Sequence, residues 1–452
     1  MYDNPGQPGF LVLEGTMSET NPYLLKEPIP LSDGLILRRS SIADTDQLAE
    51  FNGRIHGEDE ADLKRVASWT KDLMSGSHPT HHPDDFTVVE EKATGKIISA
   101  MNLISQVWSY DGITFGVGRP ELVGTDPVFR NRGLVRRQFE IIHEWTRLRG
   151  ELLQAITGIP YYYRQFGYEM AVELSGRRVG YESNLPVLKE NEKLNFKIRP
   201  ANPNDLDGIM RIYDDSAAGV RLHCLRDAAD WRYELDGRRE DDVNRSVIQV
   251  IESKKDEIAG YLLHPPYLWN DSMNLTGIEL EGGCTWQAVI PDVLRFLWTQ
   301  GQAYAKVEGK TCCAFGLQLG SDHPAYQVAL ERLPTYKDPY AWYLRVADLP
   351  GFLRKITPAL ESHLRESNCS GFDGVVKLGF YTSEIDLTFK EGKLLKIEES
   401  RLEHWDKVDA GFPGFTLLQV LFGYRSREEL EYAFPDCWVN PDFRPLIDAL
   451  FP

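Results

Sequence analysis

Apolar and polar positions along the chain change period repeatedly. Short runs that alternate every second residue give way to stretches with apolar residues three and four apart, a pattern that predicts an α/β (α+β) chain. Leu35-Ile36-Leu37-Arg38 reads as a strand leading to Asp44, Asp46 and Leu48, and Phe196-Lys197-Ile198-Arg199 leads in the same register to Asp205, Asp207 and Ile209, at a constant offset of 161. Each segment predicts a strand, a turn and a helix whose first turn carries acids at its positive dipole end. Both are followed by a hairpin: residues 86–91 and 97–104 about a Thr94-Gly95 turn, and residues 247–252 and 258–263 about a turn at 254–257. Two related units on one scaffold are expected.

After Pro339 the pattern changes. Residues 342–346 read as a strand and 349–364 as a helix leading out of the second unit. Ile385, Leu387 and Phe389 then alternate with Asp386 and Thr388, and helical stretches follow at 415–422 and after Ser426, which stands three residues before Glu429 as in a capping box. The predicted organisation is a flexible extension over 1–30, a first unit over 31–185, a second over 186–365 and an α+β module over 366–452.

Composition adjusts this picture in two respects. With 452 residues the chain is long enough for several cores, and 68 acidic against 50 basic side chains give a formal charge of −18, which disfavours nucleic acid and anionic membranes and would attract a cationic substrate. The six cysteines show no CxxC spacing, and neither a signal peptide nor a long apolar span is evident, so a cytoplasmic protein with free thiols is expected.

Chemistry concentrates between Glu121 and Ala171. Leu122-Val123-Gly124-Thr125 reads as a short strand, and Arg130-Asn131-Arg132-Gly133-Leu134-Val135 then opens a helix with apolar Val135, Phe139, Ile142 and Trp145. Unpaired N–H groups at a helix start, a glycine that permits close approach and added arginines (Arg136 and Arg137 follow) suit a pyrophosphate. One helix and one short strand (152–157) later stands Tyr161-Tyr162-Tyr163-Arg164-Gln165-Phe166-Gly167-Tyr168.

The order strand, Arg-x-x-Gly loop, helix, strand and Tyr-x-x-Phe-Gly-Tyr resembles the acetyl-CoA-binding core of GNAT acetyltransferases, over roughly residues 35–179. The resemblance implies that the backbone of residues 130–135 holds the pyrophosphate of acetyl-CoA. It implies that residues 122–125 pair with the pantetheine arm and that Tyr163 protonates the departing thiolate. Val135 departs from the family's Gly or Ala. The three-part organisation is similar to that of the enhanced intracellular survival (Eis) family: tandem GNAT-like units, the second without the loop, followed by a module like sterol carrier protein type two. That likeness implies acetyl transfer to a primary amine of a small cationic acceptor (aminoglycoside- or lysine-like) or peptide, a hexameric homo-oligomer, and a terminal carboxylate, here Pro452, as the base.

The residues themselves leave the base open, with Glu121 and His56 as candidates. The second unit, with Leu280-Glu281-Gly282-Gly283 but no Arg-x-x-Gly loop, is expected to bind no cofactor and to shape the acceptor cleft. His78, His81 and His82 with Asp84 and Asp85 have a spacing that could ligate a metal but reads first as a polar loop, and no metal is expected. A non-catalytic acyl-CoA or lipid carrier, its C-terminal module holding lipid, is the alternative to the enzyme.

Overall fold

In the computed structural model, residues 22–188, 193–402 and 404–452 are described. The first unit contains β1 (Ile29–Pro30), β2 (Leu35–Arg39), α1 (Thr45–His56), α2 (Glu60–Leu73), β3 (Phe86–Glu91), β4 (Lys96–Tyr110), β5 (Ile113–Thr125), α3 (Leu134–Leu148), β6 (Leu153–Ile156), β7 (Glu169–Leu174) and β8 (Arg177–Gly180). The second contains β9 (Lys197–Pro200), α4 (Leu206–Ser216), β10 (Leu222–Leu225), α5 (Ala228–Arg232), β11 (Val247–Glu252), β12 (Ile258–His264), β13 (Ser272–Leu275), β14 (Gly277–Leu280), α6 (Trp286–Glu308), β15 (Ala314–Leu317), α7 (Ala325–Ala329), β16 (Thr335–Lys337) and β17 (Tyr340–Arg345). The third contains α8 (Leu349–Arg365), β18 (Gly374–Gly379), β19 (Ser383–Lys390), β20 (Lys393–Arg401), β21 (Ala410–Gly411), α9 (Leu417–Leu421), α10 (Arg427–Ala433), β22 (Trp438–Val439) and α11 (Arg444–Leu450).

The repeat read from the sequence is written into the packing. Arg38 forks onto Asp44 at 2.8 and 2.9 Å and reaches Glu90 at 2.7 Å; Arg199 forks onto Asp205 at 2.8 and 2.9 Å and reaches Glu252 at 2.6 Å. Each triad ties one strand, β2 or β9, to the following helix start and to the neighbouring strand, and the bidentate geometry makes the tie specific in direction. Ser41 and Asn202 complete capping boxes with Asp44 and Asp205.

The two units exchange strands. The first sheet runs β1-β2-β3-β4-β5-β6-β17-β7, with β10 beside β4, so β17 from the second unit sits between β6 and β7. In return β8 leaves the first unit and pairs antiparallel with β15 and β16, in the order β13-β15-β8-β16. The contiguous boundary expected at 185/186 therefore cuts through an interlocked pair. Periodicity along the chain reports that a segment is a strand; which backbone satisfies its N–H and C=O groups is decided by space.

Two further expectations need correction. Residues 1–21 of the expected extension lie outside the described residues, but residues 22–30 are packed: Leu25 is buried, β1 pairs with β2, and Trp145 Nε1 donates to the Tyr23 carbonyl at 3.0 Å. Helix α8, expected to lead out of the second unit, packs on β20 and α11, and its Phe352 and Leu360 share a core with Leu387 of β19 and with Phe115 and Val117 of β5. The third unit thus begins near Leu349, and its five-stranded sheet, β20-β19-β18-β21-β22, is fused to the first unit rather than appended to it. The capping box at Ser426 forms as read, with Ser426 N–H donating to Glu429 at 2.8 Å and the Glu429 N–H donating back at 3.2 Å. Among the described residues no helix is long and apolar enough to cross a membrane.

Candidate active site

The segment read as a four-residue strand is the end of the 13-residue β5. Its pairing explains why this end matters. β5 is bonded in parallel to β6 only at Val117↔Leu153 and Gly118↔Gln154, so beyond Gly118 the two strands part and the β5 edge facing β6 has no strand beside it. On the other side the register with β4 shifts between Ala100 and Asn102, and Leu122 there adopts a left-handed φ of 53°. Such a bulge bends a strand and re-aims its groups. An open β edge is a surface to which an extended, amide-bearing ligand can bond.

Past Thr125 the chain turns through Asp126, whose carboxylate accepts from Val128 N–H at 3.2 Å, and enters the loop Arg130 to Val135. Asn131 and Gly133 have φ of 63° and 74°, and no side chain caps α3. The first N–H groups of a 15-residue helix are thereby left for an outside acceptor, next to the positive end of its dipole. A Cβ on Gly133 would meet nothing within 4 Å, so the space in front of these amides is open. Val135 directs its side chain against the buried cluster around Phe139 and Trp145, so its β-branch does not fill that space. Arg130, Arg132 and Arg136 are exposed around the loop.

The helix is anchored from beneath by a polar connection that pattern reading missed. Ser99 Oγ donates to Gln138 Oε1 at 2.7 Å and lies 2.8 Å from Thr125 Oγ1, while Gln138 Nε2 donates to Thr87 at 3.1 Å. Ser99 and Gln138 are fully buried, so this link holds the helix start and the end of β5 in one register. The local signal for it was a glutamine on the apolar face of α3, one residue before Phe139.

The Tyr loop is a short 3-10 turn, Tyr162–Phe166, entered through a left-handed Tyr161. Phe166 stacks on Phe139 at 4.3 Å, Arg136 donates to Gln165 at 2.9 Å, and Arg164 pairs with Glu169 at 2.5 Å. The exchanged strand completes the support: Tyr161 N–H donates to Tyr343 Oη at 2.5 Å, and Tyr343 Oη donates to the Ile159 carbonyl at 3.2 Å. Tyr163 is buried among Phe139, Tyr168 and Tyr343, with its ring edge beside Gly158, where a Cβ would come within 3.2 Å of the hydroxyl. Burial, and then the nearby Glu121 charge, push its phenol above the ordinary tyrosine range, so it stays protonated and can only donate.

Glu121 lines a cleft of ≈ 2100 Å³ to which both units contribute, Arg119 and Trp342 flanking it and Asp230 and Tyr233 facing it from the second. Burial raises its carboxyl and Arg119, its ion-pair partner, opposes that shift. Glu121 is near enough for its charge to act on the Tyr163 phenol, but Tyr163 itself is buried behind the cleft and does not line it. His56 ends α1 and packs beneath the end of β5, where a Cβ on Gly124 would lie 3.1 Å from its Nε2, and burial lowers its pKa. Pro452 is a correction: its carbonyl oxygen accepts from Arg221, and the preceding Leu450 carbonyl lies 3.0 Å from His363, which in turn touches Asp111 in the β4–β5 turn. That is the end of β5 opposite to Glu121, eight strand residues or roughly 25 Å away. The terminal helix α11 packs on α8, and this docking sets where the chain ends. His81 is buried and His78 half-buried, with pKa values lowered to about 3 chiefly by desolvation, and among the described residues no group of three or more potential ligands could hold a metal ion.

The family model of the GNAT acetyltransferase domain matches residues 37–171, a range from β2 to β7 that takes in the splayed strand, the helix start and the Tyr loop. The chain carries a GNAT acetyltransferase domain. No curated protein matches the chain. Solved structures share the fold over most of their length: a GCN5-related N-acetyltransferase from Kribbella flavida (14% identity, 92% of this chain and 96% of that one, TM-score 0.59), another from Anabaena variabilis (13%, 92% and 96%, 0.62) and Eis1 from Mycobacterium abscessus (15%, 92% and 97%, 0.57). These likenesses show a shared fold over nearly the whole chain, and the GNAT domain over residues 37–171 supports acyl transfer as the general chemistry.

Proposed function

We propose that the GNAT domain transfers an acetyl group from acetyl-CoA to a primary amine that enters through the cleft between the two units. The observation that carries this reading is the uncapped start of α3 beside the splayed end of β5. In one place it offers amides for a diphosphate at Gly133, Leu134 and Val135 and a free strand edge at Leu122, Val123, Gly124 and Thr125 for an amide-bearing arm. Arg130, Asn131 and Arg132 flank that start, two of them cations. Bound there, acetyl-CoA supplies the activated thioester. Tyr163 holds its proton in its buried setting and donates it to the leaving sulfur. Glu121, its carboxyl pKa raised by burial against the opposing charge of Arg119, takes the proton of the attacking amine and passes it to the solvent of the cleft. This assigns to Glu121 the role that the Eis resemblance gave to the chain terminus.

A thiol-release assay with an amine panel tests the reading, together with calorimetric titration of acetyl-CoA. Binding with turnover supports it. Binding without amine-dependent thiol release would leave a carrier, and failure to bind acetyl-CoA would remove the class.

A further inference from the structure

Five arginines line the cleft: Arg119, Arg147, Arg149, Arg226 and Arg238. Four have acidic partners. Arg119 pairs with Glu121, Arg147 with Glu144, Arg149 with Asp85, and Arg238 with Glu234 and Asp242. Among the described residues Arg226 touches no acid and makes no hydrogen bond; its guanidinium lies over two rings, 5.6 Å from the centre of Tyr213 and 5.3 Å from that of Trp231. Asp230 and Glu234 are close enough for their charge to be felt, but both have other partners: Asp230 accepts from Asp227 N–H at 3.0 Å, and Glu234 holds Arg238 and the Ser246 N–H.

Arg226 is half-buried, and an arginine cannot discard its proton to relieve the cost of a partly desolvated charge with no partner. Stacking on aromatic rings orients the guanidinium plane but leaves its edge N–H groups unfilled, and that edge is a match for the two oxygens of a carboxylate. We propose that Arg226 is the specificity anchor of the cleft, gripping a carboxylate carried by the amine acceptor.

The sheet sets how far apart the two ends of such an acceptor must be. Arg226 follows β10, whose Leu225 is paired with Val107 of β4, itself paired with Gly116 of β5. Glu121 is therefore two strand spacings, about 10 Å, to one side and five residues, about 16 Å, further along. Both side chains lie in the shared cleft and shorten this span, Arg226 by a long stem, which leaves room for an amine and a carboxylate joined by several bonds rather than by one carbon. The acceptor is then a zwitterion, an ω-amino acid, a lysine-like side-chain amine or a short peptide.

This rests on the acyl-transfer reading. The test compares 6-aminohexanoate with its amide and with an aminoalkyl phosphate of similar length, on the full chain and on Arg226→Gln and Arg226→Lys, each checked for an unchanged thermal transition and unchanged acetyl-CoA titration. We expect kcat/KM for the carboxylate at least about tenfold above that for the amide, a difference in KM that Arg226→Gln abolishes and Arg226→Lys partly keeps. A phosphate acceptor that outperforms the carboxylate, with the same dependence on Arg226, would assign the oxyanion to a phosphate. Equal use of the acid and the amide, or a preference that survives Arg226→Gln, overturns the proposal. So does equal equilibrium binding to the acetyl-CoA-loaded protein where turnover is undetectable. Loss of acetyl-CoA binding by the unaltered chain would instead strike the underlying acyl-transfer reading.

Discussion

The first two units share a framework down to its ion pairs and differ where chemistry is expected. In the first, the helix start follows Arg130-Asn131-Arg132-Gly133. In the second, α6 is also uncapped by a side chain and also follows a left-handed glycine, Gly283 with φ of 91°, but Glu281 is the charged residue before it. Glu281 pairs there with Arg211 of α4, and an acid near the positive end of a helix disfavours an anionic ligand. At the repeat offset of 161 Tyr163 corresponds to Pro324, which has no proton to donate, and the neighbouring His323 packs edge-on to Trp286, the first residue of α6, at 5.0 Å. The hollow beside it, lined by Glu279 and His323, has only ≈ 350 Å³. The difference teaches that the Arg–Asp–Glu triads maintain the scaffold in both halves, while the cofactor binding proposed for the first rests on a handful of loop residues that the scaffold does not need.

Substitutions can sharpen or break this contrast. The largest effect is expected from Tyr163→Phe, which should lower kcat roughly a hundredfold or more with little change in acetyl-CoA affinity, as read by thiol release and calorimetry. Unaltered turnover would remove the acid role.

Next comes a matched pair. Gly133→Val and Gly283→Val both force a β-branched residue into a left-handed conformation, at about 1–2 kcal/mol of strain each. Both should lower the denaturation midpoint, but only Gly133→Val should weaken acetyl-CoA binding, by about tenfold or more. Equal loss of affinity in the two variants would mean that the second unit also takes the cofactor.

A smaller and symmetric effect is expected from Arg38→Ala and Arg199→Ala, about 2 kcal/mol each in urea unfolding, because each strands two half-buried carboxylates. The acid limb of stability has a definite sign here. Hydrogen bonding to Arg199 holds Asp205 below the usual carboxylate range, so its contribution is complete above the unfolded value near pH 4 and disappears as pH falls through the lower folded one. Arg199→Ala should flatten that limb.

The smallest effect concerns Glu279, whose carboxyl is raised to about 7 by burial. Its folded form keeps a proton that the unfolded chain has already lost, so stability falls as pH rises from the ordinary Glu value to 7 and is level beyond it. Glu279→Gln should raise the thermal midpoint at pH 8 by a few degrees and leave it unchanged at pH 4. A gain of equal size at both values would show that the side chain acts by packing and not by charge.

Much of this molecule was determined by sequence alone. The repeat, the hairpins at residues 86–104 and 247–263, the glycine-opened helix after the arginines and the Tyr-rich turn all depend on neighbours within a few residues, and local period, capping and turn preferences report such neighbours directly. The tertiary structure decided the rest: that β8 and β17 trade places, that Tyr343 from the second unit pins the loop bearing Tyr163, that Ser99 and Gln138 lock the helix start, and that Pro452 ends beside Arg221 instead of Glu121. Each is a pairing between residues far apart in the chain, and any strand of the right period or any exposed end could have made it. The choice was set by which backbone edges and which buried polar groups lacked a partner once the units had packed.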